Sequence, residues 1–99
     1  MLLRMFDAGE AEKFGLGLAD TLAAKFPASK QKADKKTLTR QAELFQAIFV
    51  QARQFNQVHK LNLYKKAKMG NAFRWKLLEL GFTSEFADQM TKEILVEMK

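Results

Sequence analysis

Apolar residues recur at helical spacing along most of the chain. Phe14, Leu18, Leu22 and Phe26 follow one another at i, i+4 intervals, with Ala11 and Ala19 beside them. That row predicts one face of a helix. Its start is set at Asp7, because Asp7-Ala8-Gly9-Glu10 has the form of a capping box and Phe6 precedes it as a staple residue. Pro27 ends it, since the residue before a proline avoids the α region. Gly15 and Gly17 each lower the helix propensity by roughly 1 kcal/mol. Gly15 falls on the apolar face, where a missing side chain would admit a second helix.

Residues 27–36 hold four lysines and nothing worth burying, and read as an exposed basic loop. The strongest pattern follows, with Asp34 or Thr37 as its cap. Leu38, Ala42, Phe45, Phe49 and Ala52 form one row, flanked by Leu44, Ile48 and Phe55. Together they cover about 160° of the helix surface, wide enough to face two neighbours. From residue 38 to 59 this helix would run roughly 33 Å at 1.5 Å per residue, and is expected to be the spine of the domain. Leu61, Leu63 and Tyr64 leave its phase, so a break is expected near Asn62, followed by a short basic helix ending at Gly70.

Asn71 is then expected to cap a helix through Ala72–Leu80. Gly81 stops it as a C′ glycine, with Phe82 making the accompanying apolar contact. Thr83 caps the last helix, whose apolar face is Phe86, Ala87, Met90, Ile94 and Met98. The reading is therefore all-α: four to five helices in a small orthogonal or bundle-like array. It has a long central helix (about 37–60) and a C-terminal αα-hairpin (71–98).

Size and composition agree with a single helical domain spanning 1–99. The 99 residues are 47% hydrophobic, with nine Phe and five Met, enough for a core. The absence of cysteine excludes disulfides and thiolate metal sites and favours the cytoplasm. Arg4 and Asp7 interrupt the apolar start, so no secretory leader is expected. No apolar run approaches the roughly 18 residues that a membrane span requires.

Charge changes the picture more. Residues 1–29 hold three basic and four acidic groups, residues 30–68 ten and two, and residues 69–99 four and five. The positive excess lies in the middle third and suggests an anionic partner.

Candidate chemistry is sparse. His59 is the only histidine, and no carboxylate lies within a helical turn of it, so the plainer reading is a helix-end residue. Glu93 with Glu97, and Glu85 with Asp88, read as a solvated face. Gly15-Leu16-Gly17 lies inside a helix, where a dinucleotide site would need a preceding strand. Residues 71–98 have the turn length of a helix-turn-helix, but the outer residues of the last helix (Glu85, Asp88, Gln89, Lys92, Glu93, Glu97) are mostly acidic and would repel phosphates. No catalytic residue, metal, cofactor or small-molecule substrate is expected.

Two functions remain. The first is a non-catalytic protein-interaction or assembly module. It would bury the surplus apolar stripe (Leu44, Ile48, Phe55) against a protein partner, most simply a second copy of the chain, with methionines adapting the surface. The second is electrostatic nucleic-acid binding within 30–76. Its candidate residues are Lys60, Lys65, Lys66, Lys68, Arg74 and Lys76, with Tyr64 able to stack on unpaired bases. In the plainer alternative these charges only solvate the surface and Trp75 lies in the core.

Overall fold

A computed structural model describes residues 9–30 and 42–98. Among them are four α-helices, one 3-10 turn and no strand. Helix α1 is Gly9–Lys25, followed by the 3-10 turn Ala28–Lys30. Helix α2 is Ala42–His59, α3 is Leu63–Glu79 and α4 is Ser84–Glu97. The expected caps at Asp7, Asp34 and Thr37, and Leu38 with the rest of 31–41, lie outside the described residues.

Helix α1 buries Ala11, Gly15, Leu18, Ala19 and Leu22, as its periodicity requires, and stops before Pro27. Phe26 is fully buried at that stop. Its ring meets Phe45 of α2 edge-on at 5.3 Å and stacks on Phe86 of α4 at 5.8 Å. One residue at a helix end thus ties three helices together. Ala28 packs against the core, so the 27–36 segment is not wholly a solvated loop.

The region after α2 differs from the sequence reading. The break near Asn62 is present: Lys60 takes a left-handed conformation (φ 49°), and the Asn62 side chain accepts a hydrogen bond from the Lys65 amide at 2.8 Å. No second break follows. α3 continues through Gly70 and Asn71 to Glu79. The row Met69, Phe73, Leu77 is fully buried and spans the expected boundary, so its burial favours one continuous helix. Gly70 is buried against α4, where a Cβ would lie 3.4 Å from the Leu95 methyls. Asn71 is exposed in mid-helix and caps nothing.

The hairpin turn is as expected. Gly81 has φ 97°, Phe82 N–H donates to Leu77 O at 3.0 Å and Gly81 N–H to Leu78 O at 3.1 Å. These are the two bonds of a Schellman motif. Thr83 Oγ1 then accepts from the Phe86 amide at 3.1 Å and starts α4.

The most heavily packed helix is α3. It lies along α1 and against α4, while α2 touches α1 and α4 more lightly. The α1–α3 crossing is close because Gly15 has no side chain: a Cβ there would overlap the Met69 carbonyl oxygen and sit 3.2 Å from the Phe73 amide nitrogen. Helix α2 is held by Ile48, Phe49 and Ala52, by a Phe14–Phe55 stack at 4.1 Å, and by two contacts to the end of α4. Those are Arg53 to Glu97 at 2.9 Å and Asn56 Nδ2 to the Met98 carbonyl at 2.7 Å.

Candidate functional site

The apolar stripe expected to face a partner is used inside the domain. Ile48 is fully buried, Leu44 and Phe55 are half-buried, and Phe55 is stacked on Phe14. The stripe is wide because α2 faces both α1 and α4.

Helix α3 turns Met69, Gly70, Phe73 and Leu77 inward. At 100° per residue, Tyr64, Lys68, Asn71 and Trp75 lie opposite them, within about 60° of one another. Trp75 is 62% exposed and Tyr64 40% exposed, so Trp75 is outside the core. Lys68 Nζ sits 5.6 Å from the centre of the Tyr64 ring, within cation–π range. Tyr64 and Trp75 were legible as aromatics among basic residues. Their shared face was not, because it exists only when residues 63–79 form one helix. Asn71, assigned to a cap, belongs to that face.

The basic residues divide into two groups. At the C-terminal half of α3, Arg74 is paired with Asp88 of α4. Lys76 lies 4.0 Å from Asp20 of α1 and 3.8 Å from Glu79. These two cations are engaged within the domain. At the other end, Lys65, Lys66 and Lys68 lie in the first two turns of α3, Lys60 precedes it, and the first turn holds no acidic residue. The positive end of the helix dipole adds to their field. Lys60 is exposed, and the other three are half-buried, consistent with stems lying along the protein.

His59 gains a partner that the sequence did not place beside it. Its Nδ1 lies 3.6 Å from Glu10 Oε2 of α1, and its ring lies 4.2 Å from that of Phe55. The pair fastens α1 to α2 at the rim of a groove lined by Phe14, Gln51, Gln54, Phe55 and Val58. A second groove, of about 350 Å³, runs between α3 and α4 over Thr91, Leu95 and Val96, with Arg74, Asp88 and Lys92 along it.

Among the described residues, no three His, Cys, Asp or Glu side chains are grouped to hold a metal ion, and no helix is long and apolar enough to cross a membrane. No family model matches the chain, and no curated protein or solved structure is significantly similar to it.

Proposed function

We propose that this protein is a non-catalytic interaction module whose docking surface is the outer face of α3. The observation that carries the reading is Trp75. The largest side chain in the protein stands 62% exposed, on the same helix face as Tyr64, while the neighbouring core is closed by smaller residues. Tryptophan and tyrosine dominate the energetics of protein interfaces, because a rigid ring buries a large area at little entropic cost. The nucleophile inventory supports the non-catalytic part: one His, no Cys and two Ser, Ser29 and Ser84, at a turn and a helix start.

The reading takes residues 1–99 as one domain in an array of crossing helices. The missing cysteines support a cytoplasmic setting. A homodimer formed across α3 is the simplest version. Light scattering over a wide concentration range, on the parent and on the Tyr64→Ala/Trp75→Ala double variant, tests it. Association that the double variant loses supports the homodimer. A parent that stays monomeric directs the same face to a different partner. A double variant that associates and binds as the parent does removes α3 from the role.

A further inference from the structure

Resting on that reading of α3, we infer that its outer face binds single-stranded nucleic acid. Bases stack on Trp75 and Tyr64, and phosphates are held by Lys68 on the same face and by Lys65 beside it, while Lys66 leaves the helix on the opposite side.

The spacing fits a strand. Tyr64 and Trp75 are eleven residues apart on one face of α3. That is about 16 Å at 1.5 Å per residue, a span of a few nucleotides. Stacking platforms combined with a positive track are the shared device of proteins that hold unpaired strands without reading their sequence. Both parts are here on one helix. Lys68, between the two rings in sequence, already lies over the Tyr64 ring. A base can take the place of Lys68 on the ring as that ammonium moves to a phosphate.

The charge arrangement narrows the partner. Asp88, Asp20 and Glu79 neutralise Arg74 and Lys76, so the positive field is concentrated where Lys60, Lys65, Lys66 and Lys68 surround the start of α3. A duplex keeps its bases paired and stacked inside, hidden from both rings. A single strand can follow α3 alone. An acidic protein would satisfy the same lysines, and titration with poly-L-glutamate distinguishes it. Lysines in place of arginines imply little base selectivity.

Trp75 is the only tryptophan, so its emission reports on the site directly. The folded protein is titrated with an oligo-dT of about fifteen nucleotides, within the range of site sizes for such binders, with a duplex of equal length, and with poly-L-glutamate. Labelled strands are followed by anisotropy, so that variants lacking the tryptophan can be compared. Oligo-dT is expected to bind and to quench Trp75. With about two phosphates neutralised, affinity should fall about sevenfold between about 50 and 200 mM salt. Tyr64→Ala and Trp75→Ala should each weaken binding about tenfold. Both rings are exposed, so circular dichroism should show the parent fold. Lys92→Gln on α4 should leave affinity within about twofold.

Duplex binding as tight as oligo-dT, or binding indifferent to both ring removals, overturns the inference. Binding of poly-L-glutamate alone overturns it too, but keeps α3 as a docking face, now for an acidic protein. No binding of any probe at low salt, from a protein that also remains monomeric, overturns both.

Discussion

A methyl group added at position 15 would run into the backbone of α3, whereas one added at position 17, two residues along the same helix, would meet nothing within 4 Å. The two glycines therefore separate opposing effects. Alanine in place of a mid-helix glycine gains about 0.5–1 kcal/mol from backbone entropy. At Gly17 that gain stands alone, and Gly17→Ala should stabilise the protein by about that amount. At Gly15 the same gain is opposed by overlap with the Met69 carbonyl, a backbone atom that cannot rotate away. Overpacking of this kind costs about 1–3 kcal/mol, so Gly15→Ala should be destabilising by about 1–2 kcal/mol net. In a domain of 99 residues each kcal/mol moves the midpoint by roughly 4–8 °C. Thermal melts by circular dichroism should show the two variants on opposite sides of the parent. A Gly15→Ala protein as stable as the parent would mean that α1 and α3 do not cross this closely.

At the scale of elements, the local signals that carried through are those whose partners are close in the chain. Gly81, Phe82 and Thr83 specify the α3–α4 turn through bonds spanning no more than five residues, and Pro27 ends α1 through its own ring. The expected boundary at Gly70-Asn71 failed because its local signature is real but is outweighed from outside. Glycine followed by asparagine reads as a stop and a cap, yet Leu95 of α4 packs against Gly70 and the Met69–Phe73–Leu77 row continues beneath it. The stripe on α2 is apolar as read, and Ile48 at its centre is buried within the domain, a neighbour that the width of a stripe alone does not identify. Two asparagines test the corrected boundary. Asn62→Ala removes the acceptor for the Lys65 amide and should cost about 1 kcal/mol, as loss of an N-cap does. Asn71→Ala should instead stabilise by about 0.5 kcal/mol, because alanine is the better residue in an exposed helix interior. Urea midpoints at unchanged slope give both values. Loss of stability on replacing Asn71 would restore the two-helix reading of residues 63–79.

Across the whole molecule, packing is uneven in a way that no single helix reveals. The hub is α3, locked to α1 through the glycine crossing and to α4 through Gly70, while α2 buries only Ile48, Phe49 and Ala52 along its eighteen residues. Among the described residues its other attachments include half-buried rings and exposed ion pairs such as Arg53 with Glu97. Exposed ion pairs of this kind contribute about 0–1 kcal/mol each, so they do not make up for the smaller buried area. Regions with few buried apolar contacts open at lower free energy than the global unfolding. Native-state hydrogen exchange should therefore find the α2 amides opening first, while the central amides of α3, around Met69 and Phe73, exchange only on global unfolding. Detachment of α2 would uncover Phe14, Ile48 and Phe55 but leave the outer face of α3 unchanged. Low denaturant that raises α2 exchange should accordingly leave the quenching of Trp75 by an external quencher unaltered. Equal protection of α2 and α3 would show instead that the four helices form one cooperative unit, and that the half-buried rings of α2 hold it as firmly as the glycine crossing holds α3.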